Sequence, residues 1–371
     1  MRFLRSTWPL ALAAALMLTS RLATGAMEML YARRVYPVIA EVLGAPARAY
    51  HALTSSLGLR GRFVPSLSEL LIVALLVFVG RGIVRAMRAP DGPDLVSAAL
   101  ACARGVGWGA LVFVVAWGLN HSRRDLLHSF GWTRAPMQAA DLERVALRLA
   151  EAAAAARSEL AEDQRGVVVA PADYGVRAAA AWRATGAANP WLRGATPLVV
   201  EPAASGLLIA AQVSGIFSPF TGEAHVARGL PPISRGFTAC HELAHRMGFA
   251  REDEANALAF YVGIESSDPY LRCSAATLAF AYVATTLNAL DPERWRAVAL
   301  ACSPGLARDL DDQRAFWRRD RGAVAKRFGQ LATATNDAYL RSMGTADGVA
   351  SYGRMVDFVL AWDQAHRARR E

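Results

Sequence analysis

Lysine is almost missing from this chain of 371 residues: Lys326 is the single one among 41 basic residues. The arginines that make up the rest are scattered rather than clustered with aromatics, which argues against a nucleic-acid partner. Several of them flank apolar segments, where lipid headgroup contact and topology setting account for them better. Cysteine is scarce too. Cys102, Cys240, Cys273 and Cys302 form no C-x-x-C pair, so a cysteine zinc cluster is not expected. Cys273 and Cys302 could pair as a disulfide outside the cytoplasm; free buried thiols are the plainer alternative. There is no internal repeat and no low-complexity linker.

What is abundant is apolar surface. Hydrophobic residues make up 54% of the chain and the mean hydropathy is +0.21, too apolar for an ordinary soluble domain of this size. Three segments are long enough to cross a bilayer, residues 8–26, 66–84 and 98–119, giving a membrane region over 1–120. The first follows the basic stretch Met1 to Arg5 and also reads as a signal peptide, with Thr24 and Ala26 before a cleavage point. The unbroken amphipathic run Met27 to Ala40 favours an anchor. Residues 27–65 read as a loop, and Pro90-Asp91-Gly92-Pro93 as a turn. The basic N-terminus and the arginines of 81–97 belong on the cytoplasmic side, so three spans place everything after residue 120 outside the cytoplasm. Arg33, Arg34, Arg48, Arg60 and Arg62 in the first loop run against this orientation.

After Asn120 the composition becomes that of a soluble domain, 121–371. The pattern predicts helices over Pro136 to Glu162, Tyr174 to Thr185, Ser234 to Met247, Glu252 to Glu265, Asp309 to Gly329, Ala332 to Met343 and Gly348 to Ala365. Short β-type runs fall at Gly166 to Ala170 and Leu207 to Val213. A hairpin is expected over Gly215 to Val226 with its turn at Pro219 to Gly222. Ser274 to Leu290 is apolar over 17 residues, but it is short for a span and contains Thr285, Thr286 and Asn288, so it reads as a core helix. The fold class is α+β, mainly helical, with a small antiparallel sheet.

The stretch that carries chemistry is Cys240-His241-Glu242-Leu243-Ala244-His245, an H-E-x-x-H motif. On a helix the two imidazoles lie one turn apart on one face and can grip one Zn²⁺, while Glu242 acts as general base on a water beside it. The bland alternative is a surface helix whose histidines happen to fall at i and i+4. Small and apolar flanks, Gly236 to Ala239 and Leu243-Ala244, weigh against it, as does the natural helix stop at Gly248. Cys240 points to a different helix face from the two histidines and reads as packing.

A hydrolytic zinc site needs a third protein ligand. Gly248 matches the glycine of the metzincin pattern H-E-x-x-H-x-x-G-x-x-H, but Arg251 stands where the third histidine belongs and cannot ligate. In the gluzincin pattern a Glu on the following helix ligates, with Asp or Asn four residues later. Glu252 and Asn256 fit this, with Asn256 holding a ligand histidine. Glu254 is the rival ligand, because the turn at Gly248 leaves the register open. Glu252, Asp253 and Glu254 also suit the first turn of a helix electrostatically. His225, Tyr339, Tyr352 and Arg354 are polar candidates for stabilising an oxyanion, each more readily structural.

Five stretches together resemble the bacterial DUF3810 membrane proteins: Phe220 to Ala224, Thr238 to His245, Ala250 to Asn256, Asn336 to Leu340 and Ser351 to Asp357. The resemblance covers the whole chain, most strongly from about residue 200. It implies an N-terminal membrane region and a zincin-like H-E-x-x-H domain. The Glu252-x-Glu254-Ala255-Asn256 pattern is similar to other gluzincin-like peptidases, which favours Glu252. His225 departs from the Asn expected in relatives. The expectation is a membrane-anchored zinc metallopeptidase, with His241, His245 and Glu252 on the metal and Glu242 as base, acting on a protein or peptide. The alternative is an inactive zinc protein with a structural or ligand-sensing role. Intramembrane proteolysis does not fit, since residues 236–262 carry too many charges for a span.

Overall fold

A computed structural model describes residues 2–59, 64–88, 95–134, 136–319, 322–342 and 354–369. The described chain is mainly helical, with one small mixed sheet. It divides into two units. The first comprises Met1–Arg123 with Pro202–Ala204 and Ser218–Glu223; the second comprises Arg124–Glu201, Ser205–Phe217 and Ala224–Glu371.

In the first unit, α1 (Arg2–Leu22) leads through a π-helical stretch (Met27–Val35) into α2 (Tyr36–Ser56). The segment expected as a loop is therefore helical from Met27 to Ser56. Pro37 sits at the junction of the π-helical stretch and α2, and Pro46 is taken up inside the helix. Two further helices, α3 (Leu67–Met87) and α4 (Leu95–Ala116), follow. Each is long and apolar enough to cross a membrane, with 0% and 17% of its most apolar stretch buried. The stretch Thr7–Leu22 reaches that standard only together with Thr24–Ser56, from which it is bent by 96°. The turn expected at Pro90 to Pro93 lies outside the described residues.

α1 and α4 run in the same direction. Trp8 meets Trp108 edge-on at 5.1 Å, Gly107 lies against Pro9 and Leu10, and Gly118 against Met17. At their far ends the Ser20 and Ser122 hydroxyls are 2.7 Å apart. The start of α3 is heavily capped. Ser66 forms a capping box with Glu69, and the buried Glu223 carboxylate accepts from the Leu67 and Ser68 N–H groups at 2.9 and 2.8 Å. His51 Nε2 and the Ser68 and Thr221 hydroxyls complete its shell. A carboxylate at a helix N-terminus satisfies orphan donors and meets the positive end of the macrodipole.

The second unit is built around alanine-rich helices that share one buried core. α5 (Ala139–Arg157) contributes Leu142, Val145, Ala146, Leu149 and Ala153, all fully buried. α6 (Tyr174–Ala188) follows, then β1 (Val199–Val200), the short α7 (Ser205–Ala210), β2 (Gly215–Ser218) and β3 (Glu223–Val226). The strand order is β1-β3-β2, with β1 parallel to β3. The sheet is thus mixed and not purely antiparallel: the expected hairpin is present, and a two-residue strand too short to show periodicity joins its far side. Leu207 to Val213 is not a strand. Its Leu-Leu-Ile-Ala core forms α7, and the chain then turns at Gln212 with φ 60°. Gly166 to Ala170 makes only an isolated bridge, Val168 to Glu162.

Five helices come next: α8 (Pro232–Arg246), α9 (Glu252–Ile264), α10 (Pro269–Leu290), α11 (Pro292–Ala301) and α12 (Pro304–Arg318). α10 passes the length and hydropathy test for a span, yet 61% of that stretch is buried inside the protein. Ala276, Ala279, Val283 and Leu287 lie in the core, as the core-helix reading expects. α9 and α10 approach closely because Gly263 faces Ala275; a Cβ on Gly263 would lie 2.5 Å from the Ala275 methyl. The helix expected over Asp309 to Gly329 is two helices, α12 and α13 (Gly322–Ser342), with Gly322 at φ 83° between them. α14 (Arg354–Ala368) closes the unit, and residues 348–353 of the expected last helix lie outside the described residues. The buried Asp363 of α14 takes Arg148 at 2.6 Å and Arg144 at 3.3 Å.

Candidate metal centre

The site is built on α8. Its first turn has Pro231 at the cap position and no side-chain cap of its own. Two hydroxyls from α10 support it instead. Tyr270 accepts from the Gly236 N–H and donates to the Pro232 carbonyl at 2.6 Å. Ser274 accepts from Phe237 N–H and donates to the Ile233 carbonyl. Gly236 leaves room for this contact, since a Cβ there would lie 3.0 Å from the Tyr270 ring. The Trp182 indole of α6 donates to the Cys240 carbonyl at 3.0 Å. The helix that carries the histidines is therefore held along its length before any ligand is considered.

His241 and His245 stand one turn apart with their rings edge to face, centroids 4.8 Å apart. Their Nε2 atoms converge to 3.1 Å. The ring orientations are fixed from behind. After Met247, Gly248 turns left-handed at φ 89°; its N–H returns to the His245 carbonyl and the Phe249 N–H to the Ala244 carbonyl, a Schellman closure. That closure aims the Phe249 carbonyl at His245, whose Nδ1 donates to it at 2.7 Å. His241 Nδ1 donates to Asn256 Oδ1 at 2.9 Å. With both Nδ1 positions engaged as donors, the two Nε2 atoms are the ones left to offer lone pairs to a cation, once His245 gives up its second proton.

α9 supplies the acid. Glu252 opens this helix and brings its carboxylate oxygens to 3.2 Å from His241 Nε2 and 3.6 Å from His245 Nε2. One atom each from His241, His245 and Glu252 all lie within 4.8 Å of one another, a group that could hold a metal ion. The donor set fits: two nitrogens meeting at 3.1 Å are close to the edge, about 3.3 Å, of a tetrahedron with metal–nitrogen bonds of about 2.0–2.1 Å. Glu254, the rival acid, is drawn off by an ion pair with Arg251 and does not join the group. Asp253 faces Arg354 at 3.6 Å.

Glu242 lies within electrostatic reach of His241, His245 and Glu252. It is buried, and its Oε2 has no hydrogen-bond partner among the described residues. Its carboxylate lies directly over the backbone of β2, so close that a Cβ on Gly215 would meet Glu242 Oε1 at 2.5 Å. Burial raises the Glu242 carboxyl above its ordinary range, while the two imidazoles pull it back. Burial also works against the charges of Glu252 and His245, but their mutual attraction wins. The histidine hydrogen bonds hold Glu252 well below the usual carboxylate range, and Glu252 lifts His245 to about 9. In the metal-free protein a proton balances charge that a cation would otherwise balance.

Other candidates separate clearly. Cys240 is fully buried and its thiol is pushed up to about 12, so it packs. All four cysteines are free. His225 Nδ1 donates to the Ile216 carbonyl across the hairpin at 3.0 Å, and His225 bears on Glu242 electrostatically. The Tyr339 side chain and Tyr352 lie outside the described residues. Sequence reasoning did not find Tyr270, Ser274, Trp182 or Gly215, all of which act on α8 from distant parts of the chain. A glycine at the start of a strand facing the motif was the one available signal.

A family profile described as protein of unknown function, DUF3810, matches residues 31–360. The chain belongs to the DUF3810 family. The matched range takes in α2, both long apolar helices and the His241, His245 and Glu252 group that could hold a metal ion in this DUF3810 protein. No curated protein and no solved structure matches it.

Proposed function

We propose that this DUF3810 protein is a membrane-anchored zinc metallopeptidase of gluzincin type, cleaving a protein or peptide at the outer face of the membrane. His241, His245 and Glu252 would hold the ion. Bound there, zinc would supply Lewis acidity, polarising a carbonyl and acidifying a water. Glu242 would take a proton through Oε2 from the water that attacks the scissile carbonyl and pass it to the leaving nitrogen as the carbon–nitrogen bond breaks. Asn256 and the Phe249 carbonyl keep the imidazoles from rotating. β2 is an edge strand of the three-stranded sheet, and Gly215 sets it against Glu242; an extended peptide can add to such an edge by main-chain hydrogen bonds.

The observation that carries this reading is the buried Glu242 oxygen with no hydrogen-bond partner among the described residues, on a carboxylate that both motif histidines act on electrostatically. A structural metal site has no use for a buried carboxylate held at that place, whose desolvation costs free energy. The proposed topology, with residues 8–26, α3 and α4 across the bilayer and the second unit extracytoplasmic, is supported by their apolar length and the arginine distribution. The test uses full-length protein in phospholipid nanodiscs. Zinc content and cleavage of a peptide library are compared for wild type and Glu242→Gln. One zinc in both proteins, with cleavage by wild type alone, supports the proposal. One zinc in both without cleavage by either favours the structural or ligand-sensing alternative.

A further inference from the structure

The geometry points to α2 as an in-plane membrane helix: its outward stripe of valine, alanine and leucine lies in the phospholipid headgroup–acyl boundary of the leaflet where α1 and α4 end. α1 runs alongside α4 in the same direction, and α2 belongs to a helical segment bent by 96° from α1. A helix perpendicular to a spanning pair runs along the membrane plane. Both ends of α2 are pinned at one level. Before its start, the Tyr31 hydroxyl donates to the Val115 carbonyl at the end of α4 at 2.6 Å, and Tyr36 packs on Trp117 at 5.9 Å. Near its end, the Tyr50 hydroxyl donates to the Pro65 carbonyl at 2.8 Å, and His51 reaches Glu223, the carboxylate that caps the first N–H groups of α3. The end of α4 and the beginning of α3 are the same face of an up-and-down pair, so α2 joins two points on that face.

The residue pattern fits such a position. Tyr36, Ala40, Gly44 and Ala47 are the buried face of α2. Val35, Val38, Val42 and Leu53 are exposed at 46%, 62%, 66% and 58%, and the exposed Ala45 and Ala49 fill the gap between them. The 3- and 4-residue steps put all six on one stripe. Arg34, Glu41 and Arg48 border this stripe on one side, with Arg48 paired to Glu41 at 2.6 Å, and Arg33 and Arg34 stand exposed at its start. Apolar stripes bordered by arginine suit the depth where acyl chains meet phosphates. Water is the poor alternative for four large apolar side chains in a row, and a bilayer is the one apolar phase that α3 and α4, in the same unit, already require.

This inference rests on α3 and α4 crossing the membrane, and the test separates the two. Nitroxide labels are placed one at a time on Val38→Cys, Val42→Cys, Ala49→Cys and Leu53→Cys, on the border at Glu41→Cys and Arg48→Cys, and in α3 at Phe78→Cys. The background is full-length Cys102→Ser, Cys302→Ala protein in vesicles of zwitterionic and anionic phospholipid; Cys240 and Cys273 are buried beyond labelling. The collision rates with oxygen and with a water-soluble nickel chelate are then compared. The four stripe labels are expected to give an oxygen-to-nickel ratio several-fold above the border labels, at one shallow depth of about 5–10 Å, with Phe78 deeper. A stripe as open to nickel as Glu41, with Phe78 deep, overturns the inference alone. Depth that increases toward residue 46 and falls again also overturns it, in favour of a re-entrant dip. Phe78 open to nickel overturns the spanning reading itself.

Discussion

Replacing Gly215 by alanine tests whether the pose of Glu242 is the working one. A Cβ at this position would stand 2.5 Å from Glu242 Oε1, 2.7 Å from its Cγ and 2.7 Å from the His225 carbonyl oxygen. Ordinary carbon–oxygen contacts are about 3.4 Å, so something must yield by about 0.7–0.9 Å. The backbone at Gly215 is not left-handed, so alanine brings no torsional strain of its own. The His225 carbonyl is fixed in β3, which leaves the carboxylate to move. Overpacking of this kind costs about 1–3 kcal/mol of stability. Displacing a general base by about 1 Å costs on the order of 10²-fold in turnover. For a peptide cleaved by the wild type, kcat should fall by about that factor, with zinc content unchanged because none of the three ligands is touched. Gly206→Ala, on α7 with open space around its Cα, is the matched control and should leave both unchanged. Turnover by Gly215→Ala within about threefold of wild type, with zinc bound, would refute the reasoning, since a base could not be so tolerant of a methyl group in its place.

Four other expectations follow from the same contacts. Gly248→Ala must hold φ 89° with a side chain, costing about 1 kcal/mol or more, and it loosens the Phe249 carbonyl behind His245; zinc affinity measured against a chelator should drop about 10–100-fold. Glu252→Ala should lose zinc by elemental analysis while Glu254→Ala keeps it, because Glu254 is engaged by Arg251; the reverse outcome would exchange their roles. His245 is raised to about 9 without metal, and binding needs its neutral form, so ions displace one proton at neutral pH. Between about pH 7 and 8.5 the apparent zinc affinity should climb about tenfold per unit and then level near pH 9; calorimetry in buffers of different ionisation enthalpy reads that proton. Asp309→Asn removes the buried carboxylate 2.7 Å from Arg157, which keeps Glu162 and the Gly166 carbonyl, and denaturant unfolding should show a loss of about 1.5–3 kcal/mol.

The local parts of the site were legible because they depend on short-range geometry. The spacing of His241 and His245 on one face follows from helical period alone, and Gly248 marked the stop because only a glycine takes φ 89° readily. The Glu252–Asn256 spacing anticipated the bond from His241 to Asn256 for the same reason. The Glu-x-Glu-Ala-Asn pattern favoured Glu252 over Glu254, but spacing alone left the register open. It depends on the course of residues 247–251 and on Arg251 pairing with Glu254 in the first turn of α9, neither of which helical period fixes. Tyr270 and Ser274 supporting the first turn of α8 are contacts across more than thirty residues and leave no periodic trace. In the membrane unit, arginines, aromatics and prolines made 27–65 look like a loop, although Pro37 and Pro46 are both accommodated by α2. The helical stripe that the proline positions obscured is the one now assigned to the lipid boundary. Leu207 to Val213 misled in the opposite way: a short apolar run does not tell strand from helix by itself.

The most direct test of the central claim is X-ray absorption at the zinc edge on the full-length, zinc-loaded protein. The account predicts a first shell of two imidazole nitrogens with one or two oxygens at about 2.0–2.1 Å and no sulfur. That shell should lose one imidazole in His245→Ala and keep both in Glu254→Ala. A zinc–sulfur path at about 2.3 Å, or no zinc retained at stoichiometric loading, would contradict it.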